Sequence, residues 1–169
     1  MATSTLLQKL DGLALASPTT GGETPGSYVS VSTPNVSNRR QIETFLASAT
    51  VVVGDAVAFD LSKSLDSDKT LYVLKADTDV ATSTAIVGIV LGSAETDGSL
   101  TAGSKINVLI GGVALANVDG ATVAGSTLCV GATAGQLAVY TAASVQPVVA
   151  IACEADTANF AKVLFLKQF

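Results

Sequence analysis

From about Ile42 onward the chain is a succession of short β-rich runs broken by Gly, Asp and Thr, with no amphipathic helical pattern between them. Short apolar runs bounded by turn-forming residues are strand signals, and closely spaced strands without helices indicate an all-β domain. The candidate strands are 50–53, 56–60, 71–76, 85–91, 105–110, 113–117, 126–130, 136–141, 148–153 and 162–167. Ahead of them, 38–46 suits either one helical turn or a strand.

Two stretches of this body read alike. The first runs Val53-Gly54-Asp55-Ala56-Val57, then Leu71-Tyr72-Val73-Leu74, then Val87-Gly88-Ile89-Val90. The second runs Ala124-Gly125-Ser126-Thr127-Leu128, then Leu137-Ala138-Val139-Tyr140, then Val149-Ala150-Ile151-Ala152. The separation between matching phrases shrinks steadily from the first pair (Asp55 with Ser126) through the second (Leu71 with Leu137) to the third (Val87 with Val149), so the second copy has shorter connections. The opening phrase occurs a third time as Ala102-Gly103-Ser104-Lys105-Ile106. In each, Gly permits the turn, Asp or Ser bonds its own backbone, and alternate residues of the following strand face a core. A duplication of this kind suits a small barrel in which each half closes the other's sheet edge. Gly111-Gly112 reads as a tight turn, and Gly21-Gly22 as part of a linker.

Residues 1–40 have a different texture. Leu6, Leu7, Leu10 and Leu13 have helical spacing behind Ser4 and Thr5, which suit a cap. Residues 17–26, rich in Pro, Gly and Thr, break helix and sheet alike. Tyr28, Val29 and Val31 then sit among Ser and Thr before Pro34, as strand material with almost no local core. Fixing 40 such residues would cost roughly 40–80 kcal/mol of backbone entropy. The segment is either a disordered tail or an arm that orders by adding a strand to a partner's sheet. The expected organisation is an extended N-terminal arm at 1–40, flexible in isolation, and a β-rich body at 41–169.

Charge narrows the function. Only 14% of the 169 residues are charged, against about a quarter in an ordinary soluble protein. Between Gly98 and Cys153 the only charged side chains are Lys105 and Asp119. Such a stretch is either deeply buried or covered by another protein. A net charge of −5 argues against nucleic acid. No apolar run is long enough to span a membrane as a helix, and Lys9 and Asp11 interrupt the one segment that faintly resembles a signal peptide. Secretion is therefore not expected. Cys129 and Cys153 read as small buried apolar side chains, with a disulfide between them as the alternative.

The residues that could carry chemistry form weak sets. The chain has no His, the commonest general base and metal ligand. Asp60, Asp66 and Asp68 lie among Lys63 and Lys69, with Asp77 and Asp79 following, but the EF-hand spacing and its closing Glu are missing. They read as a solvated loop. Glu95 with Asp97, and Glu154 with Asp156, are the carboxylate pairs a glycosidase would need, in a chain with few aromatics to line a cleft. Ser62-Lys63 and Ser104-Lys105 are adjacent, which on a strand points the two side chains to opposite faces. No catalytic, cofactor-binding or metal-binding residue is assigned, and no enzyme is expected. Arg39 and Arg40, the only arginines, suit either solvated charge or bidentate pairing with a partner's carboxylates. The apolar end places Phe169 in the core or at a subunit seam.

The phrases Val53-Gly54-Asp55-Ala56-Val57, Ile86-Val87-Gly88-Ile89-Val90-Leu91 and Leu100-Thr101-Ala102-Gly103-Ser104-Lys105-Ile106, in this order, resemble tailed-phage capsid decoration proteins of the β-tulip type. The continuation through Val123-Ala124-Gly125-Ser126-Thr127, Gln136-Leu137-Ala138-Val139-Tyr140 and Pro147-Val148-Val149-Ala150-Ile151-Ala152 fits the same group. The resemblance covers roughly 38–169. It implies a cement protein that stabilises the head, bound as a homotrimer to the major capsid protein on the outer capsid surface of the virion. It also implies an N-terminal arm that clamps neighbouring subunits. The expected partner contacts are Tyr28, Val29, Val31, Pro34, Arg39, Arg40 and Phe169. The alternative is another virion β-module of the tail, fibre or baseplate.

Overall fold

A computed structural model describes residues 41–144 and 146–166. Among them are nine strands: β1 (Gln41–Ala47), β2 (Ala56–Phe59), β3 (Tyr72–Lys75), β4 (Ile86–Ser93), β5 (Lys105–Asp119), β6 (Thr127–Val130), β7 (Leu137–Val139), β8 (Ala150–Ala152) and β9 (Phe160–Phe165). Two single-turn helices, α1 (Asp66–Lys69) and α2 (Val80–Ser83), fill connections. Apart from these two turns of helix the described residues are all-β, as the turn-punctuated pattern predicts.

The strands close into two rings. In the first, β1 runs parallel to β3, β3 pairs antiparallel with β2, β2 with β4, and β4 with the first half of β5. That half of β5 returns to β1, with Phe45 opposite Ile106, and the five-stranded barrel is complete. In the second, the other half of β5 runs parallel to β7. Antiparallel pairing then continues through β6, β8 and β9, and β9 returns to β5 with Val113 opposite Leu164. Closure leaves neither ring with a free edge.

β5 is a single strand of 15 residues shared by both barrels. Gly111 faces Gln41 of the first ring, and Gly112 faces Phe165 of the second. Gly111-Gly112 is therefore not a tight turn: it is where one strand changes partners. Gly112 has φ +113°, a conformation L side chains rarely adopt. The candidate strands 105–110 and 113–117 are fused through it.

The repeat seen in the sequence is structural. Ala47 and Val118 stand at matching places, beside Val73 and Leu137 respectively. Ile89 and Ile151 correspond in the same way, in agreement with the pairing of Val87 with Val149 in the sequence. In the strands β3 and β7 it is Val73 that matches Leu137, whereas the sequence phrases alone align Leu71 with Leu137. The slip arises because Leu71 precedes β3 while Leu137 already lies in β7.

Each barrel has its own core. Phe45, Ala47, Val51, Val57, Val73, Val87, Val90, Ile106, Val108 and Ile110 cluster in the first. Ala114, Ala116, Val118, Leu128, Val130, Leu137, Val163 and Phe165 fill the second. Ala56, Ala58, Ile86, Ile89 and Leu109, from the opposite faces of first-barrel strands, join this second cluster. The barrels thus pack side by side, and β2 and β4 are buried on both faces. That explains why Ala56-Val57-Ala58 and Ile86-Val87-Gly88-Ile89-Val90 are continuously apolar rather than alternating.

Two expectations are corrected locally. Residues 50–53 are not a strand; Asp55 accepts the Val52 N–H at 2.8 Å and holds them in a turn. β1 (41–47) overlaps the segment 38–46 read as one helical turn or a strand, and extends one residue past it.

Candidate functional site

The residues expected to contact a partner, Tyr28, Val29, Val31, Pro34, Arg39, Arg40 and Phe169, lie outside the described residues. Among the described residues no group of His, Cys, Asp or Glu is arranged to hold a metal ion, and no buried side-chain polar atom lacks a hydrogen-bond partner.

Asp60 is buried, which corrects its reading as part of a solvated loop. Burial by itself would raise its carboxyl pKa. The hydroxyls of Ser48 (2.6 Å) and Ser62, the Ser62 N–H and the Lys63 ammonium (3.5 Å) outweigh that and hold it below the usual carboxylate range. Lys63 also lies 4.5 Å from the centre of the Tyr72 ring. Asp66 is exposed and Asp68 half-buried, both on α1, and Asp66 pairs with Lys69 at 2.8 Å.

The proposed acid pairs fasten loops. Glu95 accepts the Lys105 N–H and Asp97 the Ser99 N–H. Asp156 accepts the Thr122 N–H at 2.7 Å, and Glu154 lies 3.9 Å from the Lys162 ammonium. Ser62 and Ser104 give their hydroxyl hydrogens to Asp60 and Ser99. Cys129 and Cys153 are both free thiols; Cys129 is buried and Cys153 is exposed, against the expectation that both are buried.

Asp55 is the most enclosed carboxylate, 2% exposed. It accepts the Asn117 side-chain amide at 2.8 Å and pairs with Lys75 at 2.9 Å, joining the turn before β2 to β3 and β5. A Cβ at Gly135 would stand 2.8 Å from its Oδ1, so the backbone between β6 and β7 lies directly against it.

Among the described residues, exposed apolar side chains occur at several places, Val52, Leu65 and Val123 among them, and several others share the outer face of the second barrel. Directly opposed residues in an antiparallel sheet share a face, as do alternate residues along a strand. Ile151, Leu164 and Val113 therefore form a row across β8, β9 and β5, with Lys162 and Leu115 in the next row and Phe160 beyond. Leu115, Leu164 and Phe160 are exposed. The matching row of the first barrel is Ile89, Leu109 and Ile42, of which Ile89 and Leu109 are fully buried in the packing between barrels. Sequence reading missed this face, because its residues alternate with the small core residues Ala114, Ala116 and Ala161 and only the register assembles them.

The described residues form a tandem of five-stranded barrels with one common strand. No family model and no curated protein matches the chain. Among solved structures it is similar to a chain from the capsid of Myoviridae phage XM1, with a TM-score of 0.51 and 16% identity, over 77% of this chain and 85% of that one. The likeness is one of fold.

Proposed function

We propose that this chain is a structural component of a phage particle, a decoration protein that binds the outer surface of the major capsid protein lattice and stabilises the head. The observation that carries the reading is the likeness in fold to a chain of a phage capsid. The exposed apolar face around Leu164 and Leu115 supports a role in protein–protein contact, since such a face on a barrel with a complete core is a surface awaiting a partner.

In this reading the body (41–169) sits on the lattice as a homotrimer, and the arm (1–40) reaches neighbouring capsid subunits through Tyr28, Val29, Val31, Pro34, Arg39 and Arg40. No chemistry is required of it. A protein that binds the assembled lattice and not its dissociated subunits stabilises assembly by mass action.

The test is the molar ratio of this chain to the major capsid protein in purified particles. A ratio near one, or a fixed simple fraction, supports decoration. A handful of copies points to a tail, fibre or baseplate module, and complete absence overturns the virion reading. Replacing Arg39 and Arg40 together by Ala should weaken particle binding without changing the melting temperature of the body.

A further inference from the structure

We propose that Lys75 and Asn117 condense into an intramolecular isopeptide bond, with Asp55 carrying the protons. The inference is independent of the capsid reading and rests on how three side chains meet.

Asp55 bridges the two reactants: one carboxylate oxygen is 2.9 Å from the Lys75 Nζ, and the other accepts the Asn117 amide at 2.8 Å. Backbone pairing holds both in place. Lys75 is opposite Val57 in the β2–β3 ladder, and the Asn117 N–H donates to the Gly54 carbonyl at 2.8 Å. The reactants are thus clamped on either side of residue 55. Gly135 closes over the carboxylate, leaving Asp55 shielded from water. An amine and an amide held against one enclosed carboxylate have the proximity and the proton carrier that amide exchange needs.

The fold does not demand this trio. At the matching places of the second barrel, Asp55 is replaced by Ser126 and Lys75 by Val139, and that ring closes equally well. The trio joins the two barrels, Asn117 coming from the half of β5 that pairs with β9.

Asp55 takes a proton from the Lys75 ammonium, and the freed Nζ lone pair attacks the Asn117 Cγ. Asp55 then relays protons from Nζ to Nδ2, the Cγ–Nδ2 bond breaks, and ammonium leaves. A Nζ–Cγ amide remains and Asp55 ends as the carboxylate it began as. No oxidant, cofactor or water is consumed.

The experiment is the intact mass of the denatured full-length chain, followed by a protease digest read by tandem mass spectrometry. The expected result is a chain lighter than its sequence by one ammonia, with a fragment joining the peptide of Lys75 to that of Asn117. Lys75→Arg keeps a positive charge beside Asp55 and cannot make this amide, so it should run at its full sequence mass. A wild-type chain at full sequence mass overturns the proposal. So does an ammonia loss that persists in Lys75→Arg or lies within a single peptide.

Discussion

Leu109 and Leu164 occupy the same place in two barrels, yet Leu109 is fully buried and Leu164 is 38% exposed. Each stands on an outer face, opposite an Ile of the neighbouring strand, Ile89 and Ile151 respectively. The difference is what lies against them. Leu109 belongs to the cluster in which the two barrels pack, whereas none of the described residues buries Leu164 to the same degree.

Leu109→Asp should therefore abolish folding, because a carboxylate placed in that packing has no partner and costs several kcal/mol. Leu164→Asp should change stability by only about 1 kcal/mol while weakening attachment to particles. Thermal melts of both variants, with co-sedimentation of Leu164→Asp and capsids, check the pair.

Gly88 has no room for a side chain. A Cβ there would lie 1.9 Å from the Leu109 carbonyl oxygen, a backbone atom that cannot move aside. Gly88→Ala should cost roughly 3 kcal/mol or more in urea unfolding. Gly98→Ala is the control: its φ is +71° but nothing lies near, so only backbone strain of about 1–2 kcal/mol should appear.

Asp60 should set part of the acid limb of stability. Its carboxyl pKa is held low in the folded chain, so its contribution is complete above the unfolded value of about 4 and falls away as pH drops through the folded value. Asp60→Asn should be less stable at neutral pH and show a flatter loss below pH ~4. Chemical unfolding across that range reads both effects.

The two thiols should separate by accessibility. Cys153 is exposed and Cys129 only 3% so. A maleimide should label Cys153 in the native protein and reach Cys129 only after denaturant is added, as followed by mass spectrometry.

Phe165 closes the second core at 2% exposure, opposite Ala150 and Gly112. Phe165→Ala should cost about 3–5 kcal/mol, whereas Phe160→Ala, on the outer face, should cost much less. Denaturant midpoints compare them.

Much of the architecture was legible in the residues. Turn phrases such as Gly54-Asp55 and Gly125-Ser126 mark where strands begin, since Gly takes the positive φ and its neighbour bonds locally. The duplication was readable for the same reason. Less legible was anything that depended on pairing. Gly111-Gly112 has the composition of a turn, and only the strands beside it, β1 on one half and β9 on the other, hold it in strand pairing.

The outer face around Leu164 and the Asp55–Lys75–Asn117 contact share that origin. Their members are far apart along the chain and carry no local signal, because the forces that join them act between strands rather than along one. The sequence by itself determined an all-β body, its strand starts and its internal repeat, through short-range steric and hydrogen-bonding preferences. Tertiary structure decided that the repeats close as two barrels sharing β5, that Leu109 is buried while Leu164 is left open, and which charges meet. Those outcomes follow from register, and register is settled only when the whole sheet closes.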